Sequence, residues 1–347
     1  MKHISFPSTD QFRNVVANIN RQVSYIGLDA NGDAIYDPSI QKPTLTFTGT
    51  VKLHGTNAGV CFNNKDGFWV QSRENIITIE KDNAGFAMFS TRNQEVLTKM
   101  MVDTAKENDV DLDKFTMSLY GEWAGPGIQK TVGISMLPQK SLFIFGIKYS
   151  DELDPHFGAH WLDNSKLKSE YNFIYNINDF KTFSVDIDFN MPQMIQNKLI
   201  ELTIAVEEEC PVAKHFGNDN TLGEGIVFIC EYKDVVYRFK SKGEKYAAGS
   251  KPKVLRVVDN ERLKLIVDTA EKVTPVWRLE QMLEKTFDFM NGGELDRAKL
   301  GDYIRFVIND IVKEDIDILI EANLELKDVS KHVSDISRKY FFSKELI

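Results

Sequence analysis

The sequence predicts an α+β domain with antiparallel sheets, followed by a small all-helical C-terminal domain. Three observations carry this. Residues 44–73 alternate polar and apolar with a period of two. Residues 225–242 read as two strands around a short turn. After about Ala248, Gly, Pro and β-branched runs give way to helical spacing. The boundary falls near 244–250, separating a domain of residues 1–245 from one of residues 246–347.

In chain order, Phe12 to Ile19 has helical spacing. Asp29-Ala30-Asn31-Gly32-Asp33 briefly resembles a calcium loop, but its glycine is one place early and the twelfth position is Ile40 instead of Glu, so it reads as a hairpin turn. Leu45, Phe47, Gly49, Val51 and Leu53 alternate with threonines and Lys52, which puts Lys52 and His54 on the face opposite Val51 and Leu53. Asp66-Gly67 between two apolar runs signals a hairpin. A helix is expected over 92–109, strands over 115–122 and 141–149, and a helix over 192–209 that stops at Pro211. In the last hundred residues a helix spans Val276 to Phe289. Past Gly292-Gly293, Ile304, Val307, Ile308, Ile311 and Val312 fall on one helical stripe.

Composition removes several classes. The chain has 347 residues, 42% of them hydrophobic, enough for sizeable cores. No apolar run approaches membrane-spanning length, and the N-terminus has no apolar signal region, so a cytoplasmic protein is expected. Cys61, Cys210 and Cys230 cannot all pair and form no Cys-x-x-Cys, which argues against a disulfide scaffold or a zinc site. His156 and His160 are four apart but lack the adjacent Glu of a zinc-hydrolase helix. The net charge is −9, so any nucleic-acid surface must be local. One local strip qualifies: Arg238, Lys240, Lys242, Lys245, Lys251, Lys253 and Arg256 face the single acid Glu244.

Lys52-Leu53-His54-Gly55 fits the Lys-x-x-Gly pattern of covalent nucleotide transfer. Alone it is weak, because Gly makes up about 7% of ordinary sequence and Lys240-Ser241-Lys242-Gly243 matches too. Its companions add weight. Arg73 follows a strand. Glu122 ends a strand before Gly125-Pro126-Gly127. Phe145 lies on the next strand, and Glu224 precedes the 225–242 hairpin. A turn centred near residues 232–233 sets Glu224 across from Ser241, beside Lys240 and Lys242. A carboxylate and two lysines at a sheet rim suit a divalent metal and a triphosphate.

In order and spacing this set resembles the covalent nucleotidyltransferase superfamily of ATP-dependent ligases and mRNA capping enzymes. Within it, the RNA ligase 2 family of phage RNA ligases and RNA-editing ligases is the most similar. The runs His54-Gly55-Thr56-Asn57 and Gly121 to Gln129 carry the distinction, and the resemblance covers residues 45–245. It implies a nucleotidyltransferase (ATP-grasp-like ligase) domain and an ATP-dependent RNA ligase (EC 6.5.1.3) acting in RNA repair, in a host cytoplasm if the chain is viral. Lys52 would take AMP as a phosphoramidate. Arg73 would contact ribose and phosphate, Glu122 the ribose hydroxyls, and Phe145 would stack on adenine, with Leu53 and Val227 packing on the base. Lys240 and Lys242 would neutralise phosphates. Glu224 would serve Mg²⁺ or Mn²⁺, with His54 and Asn57 beside the adenylylated lysine and Asn57 reaching the metal through water. Two departures stand out. Val51 occupies a place often held by glutamate, which weakens the basis of adenine selectivity. Gly146 follows the aromatic where an acid is common.

The implied partners are ATP and RNA, as a nicked duplex or broken ends, with no membrane and no zinc. A monomer is the default. The mechanism implied has three steps: lysyl-AMP formation, transfer of AMP to an RNA 5′-phosphate, and attack by a 3′-hydroxyl. A DNA ligase or capping enzyme fits less well, since His54 replaces their usual aspartate and no five-stranded barrel pattern follows residue 245. A non-catalytic RNA-binding protein would not need every catalytic position filled. The helical C-terminal domain is expected to recognise RNA ends through Lys331, Arg338 and Lys339, although Glu314 to Glu325 is acidic.

Overall fold

The period-two stretch forms strand β3 (Thr44–Lys52). Its Phe47, Gly49 and Val51 side is buried, while Lys52 on the other side keeps partial access to solvent. Phe228 lies directly across from Gly49, and a Cβ there would sit 2.7 Å from the Phe228 ring, so only glycine admits the ring. A computed structural model describes residues 1–28, 32–151, 159–167, 171–243 and 257–345. It divides the chain into two compact units. One comprises Met1–Val15, Leu45–Ile187 and Asn197–Leu255, the other Val16–Thr44, Asp188–Gln196 and Arg256–Ile347.

The first unit contains two sheets. In the smaller, β11 (Thr182–Asp188), β3, β12 (Gly225–Tyr232) and β13 (Val235–Lys242) lie in that order. Phe47, Phe228 and Phe239 pack on its buried face, with Phe228 and Phe239 stacked at 5.0 Å. The larger sheet runs β10 (Ile174–Asn176), β8 (Ser141–Ser150), β7 (Thr116–Ala124), β4 (Thr56–Asn63), β5 (Gly67–Ser72) and β6 (Ile76–Ile77), with β9 (Ala159–Leu162) also paired to β8. Its pairings are antiparallel except that of β10 with β8. The expected 63–67 hairpin is present, closing on Asn63 opposite Gly67. Helices α2 (Phe86–Arg92) and α3 (Gln94–Glu107) bury Phe86, Leu97 and Met101 in a core shared with Val60, Leu119 and Ile144 of the sheet. α4 (Gln196–Glu208) and α5 (Pro211–His215) complete the unit, with Pro211 at the α5 start, where a missing N–H costs nothing.

The second unit is mostly helical. α6 (Asn260–Val273), α7 (Val276–Phe287), α8 (Leu300–Glu314), α9 (Ile316–Glu321) and α10 (Leu326–Glu345) bury Leu279, Leu283, Val307, Ile311 and Phe341 together. Asp259 caps α6 by accepting from the Arg262 amide at 2.9 Å. The expected stripe on α8 is realised through Val307 and Ile311, whereas Val312 is exposed. Helix α1 (Phe12–Ser24) runs longer than its sequence signal, then leads into β1 (Tyr25–Leu28), which pairs antiparallel with β2 (Ala34–Tyr36). The turn expected between those strands falls on residues 29–31, outside the described residues. No helix among the described residues is long and apolar enough to cross a membrane.

Candidate active site

The strand face opposite the phenylalanine core builds the site. On β3, β12 and β13 the register forms three cross-strand rows: Thr48, Ile229 and Arg238, then Thr50, Val227 and Lys240, then Lys52, Gly225 and Lys242. Side chains two apart on a strand share a face, so Arg238, Lys240 and Lys242 form one column. The hairpin register corrects the sequence expectation. Gly225 pairs with Lys242, so Glu224 lies across from Gly243 and not from Ser241. The turn residues are Lys233 and Asp234, both in the left-handed region that a two-residue hairpin needs. A shift of two residues leaves every side chain on its predicted face. It does change the partner of Glu224: the ion pair is made with Lys242, and none with Lys240 is found among the described residues.

Glu224 is the electrostatic centre, with its side chain only 1% exposed. Its Oε2 accepts from Lys52 Nζ at 2.7 Å, and Oε1 lies 2.5 Å from Lys242 Nζ. His54 Nδ1 stands 3.4 Å from Oε2. Burial pushes the Glu224 carboxyl up, but the Lys52 and Lys242 ammonium groups outweigh it and hold the group below its ordinary value. Lys240 is lowered, first by burial and then by the neighbouring Lys242, Lys52 and Arg73 charges.

Gly55 explains its own place in the motif. A Cβ there would meet the Trp123 carbonyl oxygen at 2.4 Å, so the loop after Lys52 passes too close to β7 for any side chain. That approach lets the Gly55 amide donate to Glu122 Oε1 at 2.8 Å. Gln129 Nε2 reaches the Gly55 carbonyl at 3.3 Å, tying the Gly125–Gln129 loop to the same turn. Burial pushes the Glu122 carboxyl up to about 7, against the opposing pull of Lys52 and the Gly55 amide. Asn57 sits opposite Glu122 across the β4–β7 pair.

These groups open into a cavity of about 450 Å³. Lys52, Leu53, His54, Asn57, Arg73, Glu122, Phe145, Glu224, Val227, Lys240 and Lys242 all line it, so the fold brings every sequence-predicted site residue together. Arg73 is the most open of them, 63% exposed and 3.4 Å from Glu74. Phe145 meets Phe6 edge-on at 5.0 Å. Four lining residues, Phe6 to Thr9, escaped the sequence reading. They reach the cavity because Asp10 bonds to the β13 backbone, its amide donating to the Arg238 carbonyl at 3.2 Å and its carbonyl accepting from Lys240 at 3.1 Å. No local motif marks such a contact. Arg238 also lines the wall, as the two-residue spacing from Lys240 foretells. Gly146 has a steric reason: a Cβ there would lie 3.0 Å from the Trp161 ring and 3.6 Å from Phe6. Of the basic strip, residues 244–256 lie outside the described residues, as does His156.

Among the described residues no group of three or more His, Cys, Asp or Glu side chains could cage a metal unaided. Glu224 and Asn57 would suit an ion that arrives with phosphate oxygens and water, the usual manner of Mg²⁺ with nucleotides.

Two sheets, antiparallel but for the β10–β8 pairing, around a cavity of lysines with Glu122 and the buried Glu224 define a nucleotidyltransferase domain. The RNA ligase family model matches residues 45–242, and the chain belongs to the RNA ligase family. Among solved structures it is similar to Naegleria gruberi RNA ligase with pyrophosphate, at 16% identity and a TM-score of 0.42, covering 70% of this chain and 57% of that one. A variant of the same ligase with ATP and manganese gives 17% identity and a TM-score of 0.41 over the same shares. The chain thus spans just over half the length of the solved ligases it matches. No curated protein matches the sequence.

Proposed function

We propose that this RNA ligase is ATP-dependent and joins RNA 3′-hydroxyl and 5′-phosphate ends through a covalent lysyl-AMP, in RNA repair. One observation carries the reading: the Lys52 amine shares a buried carboxylate with Lys242 inside a cavity that all the expected nucleotide contacts line. Variants of the Naegleria gruberi ligase are solved with ATP and manganese and with AMP and manganese, and we assign a nucleotide and a divalent ion to this cavity.

Lys52 Nζ attacks the α-phosphorus of ATP, forming the N–P bond as the bond to pyrophosphate breaks. For this the ammonium group must release Glu224 and give up a proton to solvent, so that the lone pair of the neutral amine faces the phosphorus. Lys240 and Lys242, already in place on β13, meet the negative charge that develops, so little reorganisation is needed. Bound Mg²⁺ or Mn²⁺ would supply further charge neutralisation at the leaving oxygens. Glu122 accepts from the ribose hydroxyls, Arg73 contacts ribose and phosphate at the mouth, and Phe145, Leu53 and Val227 enclose the base. With Val51 at the strand end, adenine selectivity falls to other groups of the wall. AMP then passes to the RNA 5′-phosphate, and the 3′-hydroxyl displaces it. The adenylyltransferase region is residues 1–245, and residues 246–347 serve RNA-end recognition.

The test is incubation with α-labelled ATP or GTP and a divalent ion, followed by denaturing electrophoresis. A covalent band with ATP, absent in Lys52→Ala, is expected. Retained labelling in Lys52→Ala would refute the nucleophile, and labelling by GTP alone would refute the ATP assignment.

A further inference from the structure

A second cavity, of about 700 Å³, shares the Arg238 wall with the nucleotide cavity. Two cations line it. Lys148 is 5% exposed and pairs across the β8–β9 ladder with Trp161. Its Nζ donates to the Ser5 carbonyl at 3.1 Å and lies 5.3 Å from the Tyr120 ring and 5.4 Å from the Trp161 ring. The Arg238 guanidinium lies 3.7 Å from the Trp161 ring centre and 5.7 Å from that of Phe6. Gly146 makes room for this arrangement, since Trp161 occupies the space of a side chain there.

Neither cation has a carboxylate partner among the described residues. That is unusual, because sunken charges are ordinarily paired. Aromatic faces offset part of the cost, but among the described residues nothing accepts a hydrogen bond from the guanidinium. A fork of donors beside an ammonium group matches the oxygens of a phosphate. The acids among its described lining residues, Glu231 and Asp234, are exposed near the hairpin tip, where solvent screens them. The volume exceeds what a single ion fills and suits a nucleotide unit.

We infer that Lys148 and Arg238 hold a backbone phosphate of the RNA substrate in this second cavity, one wall away from Lys52. The inference rests on the ligase reading for the identity of the strand. It would give the enzyme a fixed grip on RNA next to the adenylylated lysine, with Arg238 shared between this cavity and the nucleotide cavity and Lys148 lining this one alone.

The experiment measures binding of a fluorescent nicked RNA duplex to the full chain, without ATP, across a salt series. Lys148→Met, which touches only the second cavity, should weaken binding about tenfold near 0.1 M salt and lower the log–log salt slope by about one. Its ATP labelling should stay within about twofold of wild type. Arg238→Gln should lower the slope in the same way, and it carries the test if Lys148→Met fails to fold. Unchanged affinity and slope in the folded variants would overturn the inference. So would loss of thermal stabilisation by inorganic phosphate in the variants with RNA binding intact, which would assign the cavity to a free anion. Wild-type ATP labelling is read on the same samples. Its absence would count against the ligase reading, whereas the salt slopes judge the cavity.

Discussion

Each unit buries one charge between two of opposite sign, and the two triads behave differently. In the helical unit Arg278, 1% exposed, donates through Nε to Asp310 at 2.7 Å and through Nη1 to Asp315 at 2.6 Å, with the Val273 carbonyl as a further acceptor. In the β unit Glu224, equally buried, sits between Lys52 and Lys242. The Arg278 set lies on α7, α8 and the α8–α9 junction, and it ties three helical segments together. The Glu224 set opens into a cavity, and its lysines keep 22% and 28% exposure. A closed triad serves the fold. An open one lets its outer charges exchange partners, which is what the proposed role of Lys52 as nucleophile requires.

The contrast can be broken most directly at Arg278. Arg278→Met leaves two carboxylates near a buried methionine and should cost about 3–5 kcal/mol, read as a shift in the urea unfolding midpoint. Labelling by ATP, measured per folded molecule, should not change. A loss of labelling larger than the loss of folded protein would erase the distinction. Glu224→Gln sharpens it from the other side. Lysyl-AMP formation should fall on the order of a hundredfold, about 2.7 kcal/mol in the barrier, with a smaller loss of stability because Lys52 and Lys242 can turn to water. Next is Gly55→Ala, which drives a methyl into the Trp123 carbonyl and should cost about 1–3 kcal/mol in unfolding. The same substitution at Gly301, where a Cβ meets nothing within 4 Å, is the control in the helical unit.

The smallest effect is a pH dependence. Glu122 has its carboxyl raised to about 7 by burial in the folded protein. The folded state therefore holds a proton that the unfolded state releases at lower pH. The stabilisation is complete below the ordinary carboxylate range and is lost as pH rises to about 7. Urea midpoints between pH 5 and 8 should show this decline in wild type, and Glu122→Gln should flatten it. An equal slope in both proteins would mean that another group titrates.

Much of the site was legible because its parts lie on strands, where parity decides orientation. Lys52 had to face away from the Phe47 side of β3, whereas Leu53 and His54 lie past the end of that strand, where parity no longer applies, and both line the cavity. Lys240 and Lys242 had to share a side, and this survived a two-residue error in hairpin register. The error arose because Lys233 and Asp234 adopt left-handed turn geometry without glycine, so nothing in the turn advertised its centre. Phe6 to Thr9 were invisible for another reason. Their place depends on contacts with residues far along the chain: the backbone bridge from Asp10 to β13, the Lys148 amine on the Ser5 carbonyl and the Phe6 ring against Phe145.

The make-up of the candidate site thus belongs to local sequence: residue type, a period of two, and glycine where backbone must come close. Who meets whom belongs to the tertiary structure. Hydrogen-bond register placed Glu224 between Lys52 and Lys242 and left Lys240 outside the pair. The close pass of Gly55 over β7 brought its amide to Glu122. The space above Gly146 gave Trp161 its position under Arg238. Each of these depends on atoms far apart in the chain meeting within a few ångströms, and only packing sets such distances.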